Sequence, residues 1–290
     1  MRKMHTNLKI GCHVSIAGSI AKSFERAQKH GFTAFQIFTK NPRSWSVKEL
    51  TKEEVSKFQN YQKEYRNIPV IAHISYLPNL TSLNHEIYQK SLNSFKIELK
   101  KCLELDIPYF IVHCGSYKNG TLEKGLKIFI NSIMRGLEIT KGKTKILIEN
   151  SAGGRNSFGG SFKNLEYILA EVNDIENVQV CFDTAHAFAA GCDLRTKKST
   201  DNVLNVLDST VGIGNIPVIH ANDSIGKLNS HLDKHEHIGL GEIGRLGFQT
   251  LINNEEFQNK IWILETPINE IRNDEKNISY LTNLIKRKRN

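Results

Sequence analysis

Ionisable side chains recur along this chain at a nearly constant spacing, each at the end of an apolar segment. All are histidines, aspartates or glutamates, the residue types that bind divalent metals through nitrogen and oxygen. Their successive separations are 40, 36, 34, 37 and 45 residues, about the length of one strand followed by one helix. The six residues are His73, His113, Glu149, Asp183, His220 and Glu265.

Three more candidate ligands lie in two polar stretches. The segment DTAH supplies His186, and the segment HLDKHEH supplies Asp233 and His235. With them the set has five histidines, two aspartates and two glutamates, too many ligands for one tetrahedral ion. The set suits two or three ions that share at least one carboxylate, and its chemistry favours Zn²⁺, with Mn²⁺ as the main alternative. A cluster of several divalent ions with open coordination positions is typical of phosphoester hydrolysis.

A simpler interpretation exists for each residue taken alone. A histidine at a strand end is more often a hydrogen-bonded structural residue, and Asp183 could serve only as the cap of the next helix. Six consecutive apolar segments that each end in an ionisable residue favour metal binding over these structural roles. Gathering so many charges without cations would be costly in desolvation and carboxylate repulsion. We therefore expect bound cations.

Eight short apolar segments alternate with eight amphipathic ones, which indicates a parallel α/β fold. We expect a single (β/α)₈ TIM barrel, because parallel strands would bring all the strand-end ligands to its C-terminal mouth. The alternative is an open doubly wound sheet, but no GxGxxG follows the first strand, which weakens a dinucleotide-binding role. Strands are predicted over 8–14, 34–39, 70–74, 109–113, 145–149, 178–183, 218–220 and 261–265. Helices are predicted over 16–29, 52–65, 87–105, 122–140, 162–172, 200–208, 245–253 and 278–287.

Bulk properties fit this barrel. The chain has 290 residues, 39% of them hydrophobic, and no linker-like stretch, so one domain is predicted over 1–290, with short basic extensions at about 1–8 and 286–290. The net charge of +9 suits a polyanionic partner, although many unrelated enzymes are also basic. Five scattered cysteines without a CxxC pair predict a reducing compartment. Neither a signal peptide nor a membrane span is expected, which favours a cytoplasmic protein, or a nuclear one in a eukaryote.

Nine stretches of the chain resemble the endonuclease IV family, the trinuclear-zinc apurinic/apyrimidinic endonucleases of DNA repair. The resemblance covers roughly residues 10–266. The matching stretches read GCHVSIAG, FQIFTKNPRSW, AHISYLPNL, VHCGS, LIENSAG, CFDTAHAFAAGCDLRT, VIHANDS, LDKHEHIGLGEIG and WILETP.

The resemblance implies three zinc ions per chain, one of which Mn²⁺ could replace. The first would be bound by His73 and His113, with Glu149 bridging to the second. The second would be bound by Glu149, Asp183, His220 and Glu265. The third would be bound by His186, Asp233 and His235.

The resemblance also implies an activity. Members cleave the phosphodiester 5′ to an abasic site in duplex DNA, leave a 3′-hydroxyl and a 5′-deoxyribose phosphate, and remove 3′ blocking groups. Glu149 would be the catalytic residue that orients the attacking hydroxide. Arg43, Tyr76 and Leu77 would contact the DNA at the lesion. No membrane and no obligate protein partner are implied, and a monomer is expected.

Several residues near the predicted barrel mouth allow two interpretations. Trp45 would either contact DNA or pack in the core. Arg155 and Ile74 stand where the family more often has a small and an acidic residue, which affects loop-level substrate preference rather than the ligand set. Four lysines would contact phosphates or would simply be solvated, namely Lys40, Lys118, Lys227 and Lys234.

Two other functions compete with the nuclease. A divalent-metal sugar isomerase or epimerase on the same barrel needs only one metal, and it would leave His186, Asp233 and His235 unexplained. A non-catalytic DNA-binding barrel would be expected to have lost ligands, and all nine positions carry the expected residue type.

Overall fold

Eight parallel strands form the central sheet of this computed structural model, which describes residues 8–65 and 68–286. The strands are β1 (Lys9–Cys12), β2 (Phe35–Phe38), β3 (Val70–His73), β4 (Tyr109–His113), β5 (Lys145–Glu149), β6 (Val178–Asp183), β7 (Val218–His220) and β10 (Ile261–Leu264), and a separate two-stranded ribbon pairs β8 (Asp223–Ser224) with β9 (His235–Glu236). Hydrogen bonding connects the eight in the order β1-β10-β7-β6-β5-β4-β3-β2. A parallel bridge between His13 and Gln36 joins β1 to β2 and closes the ring. The expected TIM barrel is thereby confirmed.

Helices surround the barrel and connect its strands. They are α1 (Lys22–Lys29), α2 (Lys52–Glu64), α3 (His85–Glu104), α4 (Leu122–Thr140), α5 (Phe162–Val172), α6 (Thr184–Ala189), α7 (Lys197–Thr210), α8 (Gly244–Ile252) and α9 (Asp274–Thr282), with short 3₁₀ turns at Ile213–Asn215 and Glu255–Phe257. The four predicted strands at 109–113, 145–149, 178–183 and 218–220 have the observed bounds, and the other four differ only at their ends.

Two predicted helices miss their observed bounds by a full turn or more. The helix predicted from residue 16 begins only at Lys22, because the Arg26 guanidinium donates to the carbonyls of Ser15 and Ala17, at 2.6 and 2.7 Å, and fixes that segment as a loop. The helix predicted over 278–287 spans Asp274–Thr282, since the Asn273 side chain caps it one turn earlier. The short helix α6 was not predicted.

Apolar layers fill both sides of the sheet. One cluster lies between the strands and the helices, and a second fills the barrel interior with side chains such as Ile71, Ile111 and Leu147. The sheet closes tightly at Gly11, where a Cβ atom would lie 1.8 Å from the Ala34 carbonyl oxygen. Because the interior is packed, a site built from the ends of the strands has room only at the two ends of the barrel.

No helix within 8–65 and 68–286 is long and apolar enough to cross a membrane. The single domain stays a prediction. Of its two basic extensions, residues 1–7 and 287–290 lie outside the described part of the chain, whereas Leu8 is buried in the core.

Candidate metal centre

Strand register brings the six strand-end residues together at the C-terminal mouth. His113 pairs across the β4–β5 ladder with Glu149, and Asp183 pairs across the β6–β7 ladder with His220. His73 ends β3, while Glu265 follows β10 directly. Potential ligand atoms lie within 4.8 Å of one another in three groups. These are His73, His113 and Glu149; Glu149, Asp183, His220 and Glu265; and Asp183, His186 and His235.

Glu149 connects the first two groups. Its Oε2 lies 3.2 Å from His73 Nε2 and 3.1 Å from His113 Nε2. Its Oε1 lies 2.8 Å from His220 Nδ1 and 3.5 Å from His186 Nδ1. The side chain is 1% exposed. One carboxylate therefore faces four imidazoles, which is the arrangement expected of a shared ligand.

Asp183 connects the second and third groups. It caps α6, because its Oδ1 accepts the His186 backbone N–H at 2.7 Å, and the first helical turn then carries the His186 ring to the mouth. Its Oδ2 lies 3.9 Å from His235 Nε2. Asp233 approaches the rings of both histidines. Its Oδ1 lies 3.0 Å from His186 Nε2 and 3.6 Å from His235 Nε2. The resemblance gave Asp183 to the second ion alone, whereas the geometry places it between two groups.

Four of the five histidines donate one ring N–H to an oxygen outside the cluster. In the neutral ring the other nitrogen is then a lone pair, and this nitrogen faces the carboxylates. The tautomers are inferred from these hydrogen bonds. The bonds run from His73 Nδ1 to the Ile74 carbonyl at 2.7 Å, from His186 Nδ1 to the Asn150 carbonyl at 2.9 Å, from His220 Nε2 to Gln36 Oε1 at 2.8 Å, and from His235 Nδ1 to the Glu265 carbonyl at 3.2 Å.

Zinc fits this set of donors. A lone pair that faces a carboxylate oxygen is repulsive unless a cation lies between them or the ring is protonated. His235 Nε2 is the clearest case, because it is buried and has no hydrogen-bond partner within the described residues. An orphaned imidazole nitrogen beside two carboxylates is the arrangement expected of a metal ligand.

Without a metal, the same charges shift the protonation of the site. Burial alone would raise the pKa of Glu149, but His220 and His113 keep that pKa well below its usual range. Burial would also raise the pKa of Glu265, but His220 and His73 lower that pKa to about 2. Burial would lower the pKa of His186, but Asp183 and Asp233 raise it well above its usual value. Positive charge among these carboxylates is therefore strongly favoured, whether it comes from protons or from metal ions.

Three buried amides that the sequence analysis missed orient the ligands. Gln36 donates to Glu265 Oε1 at 2.7 Å while it accepts from His220. Asn150 donates to the Asp183 carbonyl at 3.0 Å. Asn222 donates to Asp183 Oδ2 at 2.7 Å. A polar amide within or just after an apolar strand, as in FQIF, IEN and HAND, was the available signal.

Seven of the nine candidate ligands line an open cleft, and the other two, Asp183 and His220, are fully buried. Its cavity measures about 420 Å³ and is also lined by His13, Phe38, Tyr76 and Ile268. A cavity of about 620 Å³ lies between α5 and α7, but none of the nine ligands lines it. The candidate ligands decide between the two cavities, so we assign the site to the smaller cleft.

Comparison with known proteins agrees with this site. A family profile described as "Xylose isomerase-like TIM barrel" matches residues 24–287. The "Probable endonuclease 4" of Methanoculleus marisnigri is 41% identical over 276 residues, covering 95% of this chain and 98% of that protein. The chain belongs to the endonuclease IV family.

Solved structures place it in the same family. The crystal structure of endonuclease IV from Thermus thermophilus superposes with a TM-score of 0.85 at 33% identity, covering 95% of this chain and 98% of that one. A D-tagatose 3-epimerase-like protein superposes with a TM-score of 0.72 at 21% identity, covering 96% and 97% of the two chains. The second likeness shows only that epimerases share the fold.

Residues that the endonuclease IV resemblance gave to DNA lie at the mouth. Arg43 is exposed, Tyr76 is 59% exposed and Leu77 is half-buried. Tyr76 packs edge-on against Phe38, with ring centroids 5.1 Å apart. Trp45 is 39% exposed, so core packing is the wrong interpretation for it.

The other mouth residues divide by burial. Lys118, Lys227 and Lys234 are exposed, as is Arg155, whereas Ile74 is buried. Lys40 is 4% exposed, and its Nζ donates to the Ser44 carbonyl. The prediction that Lys40 contacts phosphates is therefore wrong, because the side chain turns inward beneath its own loop.

Proposed function

We propose that this chain is a DNA-repair enzyme that hydrolyses the phosphodiester 5′ to abasic sites in duplex DNA. The products are a 3′-hydroxyl and a 5′-deoxyribose phosphate, and the same centre removes 3′ blocking groups. Three Zn²⁺ ions per chain serve the reaction, with Mn²⁺ possible at one site. The observation that carries the proposal is the convergence of nine candidate nitrogen and oxygen ligands at one barrel mouth, with Glu149 shared between two groups. Membership of a family whose relatives are named endonucleases supports it.

The ligand groups have separate tasks in this proposal. His73, His113 and Glu149 bind the first ion; Glu149, Asp183, His220 and Glu265 bind the second; and His186, Asp233 and His235 bind the third. When bound, divalent ions supply Lewis-acid stabilisation of negative charge on a phosphate and lower the pKa of an attacking water. Gln36, Asn150 and Asn222 fix the orientation of the ligands, which keeps the donor geometry constant during turnover.

Glu149 is the proposed catalytic residue. Its Oε2 lies beside His113, whose side chain is 45% exposed, so this pair marks the point where the buried centre opens to the cleft. A carboxylate with a low pKa stays ionised and can accept a hydrogen bond from an attacking water. Glu149 thereby orients the nucleophile toward phosphorus, and no side chain acts as a covalent nucleophile.

The loops at the barrel mouth recognise the lesion. Arg43, Tyr76 and Leu77 enter the gap that a missing base leaves, where unstacking costs little. Lys118, Lys227 and Lys234 contact phosphates, so binding weakens as salt rises. Exposure of Arg43 and Tyr76 supports these roles, as does the position of Tyr76 in the lining of the cleft.

The proposed enzyme acts as a monomer without an obligate protein partner, in the cytoplasm or, in a eukaryote, the nucleus. Its mass of 32.9 kDa is the value that light scattering should return for the purified protein. A stable dimer would contradict this part of the proposal.

Incision of a defined duplex tests the reaction. The substrate carries one tetrahydrofuran abasic analogue, and the zinc-loaded protein should cut only 5′ to it and leave a 3′-hydroxyl that a polymerase extends. Metal analysis of the same sample should return three zinc ions per chain. A metal-replete protein that leaves the duplex intact would exclude the endonuclease, and one Mn²⁺ per chain with turnover of a ketose would favour the sugar epimerase instead.

A further inference from the structure

A group of buried charges lies beneath two loops of the barrel mouth. It consists of Lys40, Glu98 and Lys101, which are 4%, 0% and 5% exposed, and we name it the α3 charge cluster. The two loops above it are the β2 loop, residues 39–45, and the β3 loop, residues 75–77. None of the three charges belongs to the candidate metal centre.

Glu98 binds the start of the β3 loop. Its Oε1 accepts the Ser75 hydroxyl at 2.8 Å, and its Oε2 accepts the Ser75 backbone N–H at 3.2 Å. Ser94, one helical turn earlier on α3, donates to the same Oε1 at 3.0 Å. Three donors satisfy this buried carboxylate, and two of them come from the residue that precedes Tyr76.

The two lysines bind the β2 loop. Lys101, one turn after Glu98 on α3, donates to the Thr39 carbonyl at 3.1 Å. Lys40 donates to the Ser44 carbonyl, which spans the loop from its first residues to the position before Trp45. The loop that carries Arg43 is therefore fixed by α3 at its start, and Lys40, a residue of the loop itself, joins its start to its end.

Direct contacts join the two loops. The Tyr76 backbone N–H donates to the Pro42 carbonyl at 3.1 Å. The Tyr76 ring also packs edge-on against Phe38, at the end of β2. One helix thus sets the positions of both loops, and the loops also set each other.

Packing alone does not require charges at this place. Burying three ionised groups is costly in desolvation, and apolar side chains of similar volume would fill the space with less cost. A buried ionic group of this kind is best explained by the unique geometry that it imposes. Burial raises the pKa of Glu98 and lowers the pKa values of Lys40 and Lys101, which is the signature of that desolvation.

We propose that Glu98, together with Lys40 and Lys101, positions the β2 and β3 loops so that Arg43, Tyr76 and Leu77 meet an abasic site in a preformed geometry. This inference rests on the proposed function, because it assigns a determinant of substrate discrimination to the same cleft. Glu98 is a positioning residue, since it acts only through the loops.

The test variant is Glu98→Gln. The amide keeps the shape but turns one acceptor oxygen into an NH₂ donor, so either the Ser75 N–H faces a donor or the Ser75 and Ser94 hydroxyls lose their acceptor. We expect the Kd for a tetrahydrofuran duplex to rise about tenfold, while the Kd for the undamaged duplex changes less than about twofold. The kcat at saturating duplex and the zinc content should stay near wild type. Fluorescence of 2-aminopurine next to the lesion should report weaker unstacking.

A matched control and a second variant accompany it. Thr144→Val removes one buried hydrogen bond at the opposite end of the barrel, from Thr144 to the Ile107 carbonyl at 2.9 Å. It should leave unchanged the Kd ratio, defined as the Kd for the undamaged duplex divided by the Kd for the tetrahydrofuran duplex. If Glu98→Gln does not fold, Ser75→Ala, which deletes one of the two contacts, should lower the ratio by a smaller factor. A wild-type protein that ignores abasic DNA would reject the proposed function. A wild-type protein that cuts, with an unchanged Kd ratio in the folded Glu98 or Ser75 variant, would reject this inference alone.

Discussion

The candidate metal centre has two parts that are built differently. Six ligands are carried by the barrel strands, and three are carried by α6 and by the loop that follows β7. Register between hydrogen-bonded strands fixes the first part, in which Glu149 is 1% exposed. Backbone N–H groups of Gly239, Gly241 and Ile243, all donating to Asp223, fold the loop of the second part, in which the Asp233 side chain is 63% exposed. The sheet provides rigidity, whereas the loop provides access, so we expect the two parts to differ in how tightly they bind metal.

The largest effect is expected from Glu149→Gln in the strand-borne part. The substituted amide would offer one acceptor where the carboxylate of Glu149 faces four imidazoles, so incision should fall by at least about 10³-fold. DNA binding should remain, because Arg43, Tyr76 and Leu77 are unchanged. Single-turnover incision and filter binding on one tetrahydrofuran duplex check both statements, and near-normal turnover would remove the proposed catalytic role.

A smaller loss is expected from Asp233→Asn in the loop-borne part. Replacing one exposed carboxylate should cost about 10²-fold in incision and should release one zinc ion per chain while the others stay bound. Mass spectrometry of metal content during dialysis against a chelator is the measurement. Asp193→Asn, in a nearby loop where the side chain pairs with Arg195 at 2.9 Å, is the control. Loss of all zinc in one step would show that the two parts are equally stable.

Removal of a supporting amide should have a more modest effect. Gln36→Ala deletes the hydrogen bonds to Glu265 and His220, which should weaken metal binding about tenfold and leave the fold intact. Competition with a fluorescent chelator measures this affinity. Gln59→Ala, which removes a surface glutamine bonded to Asp106 at 2.8 Å, should leave zinc affinity unchanged; equal losses in both variants would contradict a specific role for Gln36.

The smallest effect is expected away from both parts. Thr51→Ala removes the capping box that Thr51 and Glu54 form at the start of α2, which should cost about 1 kcal/mol of stability. Incision at 25 °C should be unaffected. Thermal unfolding should show a larger loss than for Thr121→Ala, because Thr121 makes only a single cap bond, at 3.3 Å; the reverse order would contradict the capping argument.

Sequence patterns predicted which strand-end side chains would lie together, because each one follows a short apolar run. The period of one strand and one helix was enough to place His73, His113 and Glu149 at one face of a barrel. The loop-borne ligands have no such period: their residue types in DTAH and HLDKHEH made them candidates, but their assignment to a third ion came only from the endonuclease IV resemblance. The reason is that the unit of one strand and one helix repeats along the sequence, whereas a loop has no repeating pattern.

Residues that act through distant partners escaped prediction. Gln36 contacts Glu265, 229 positions away, and Glu98 contacts Ser75 from another element. Lys40 was taken for a surface cation because lysines are rarely buried. No local pattern indicates which polar side chain a later segment will cover.

The candidate metal centre depends on closure of the barrel, which joins the first barrel strands to the last one. The bridge that closes the barrel pairs His13 with Gln36, and Gln36 also binds Glu265, just beyond a strand that pairs with β1. The first and last barrel strands to be synthesised are thus neighbours. The set of candidate metal ligands is complete only where they meet. A nascent chain that lacks β10 has neither Glu265 nor a closed barrel. The capacity to bind the full set of metals therefore arises only after synthesis has passed Glu265.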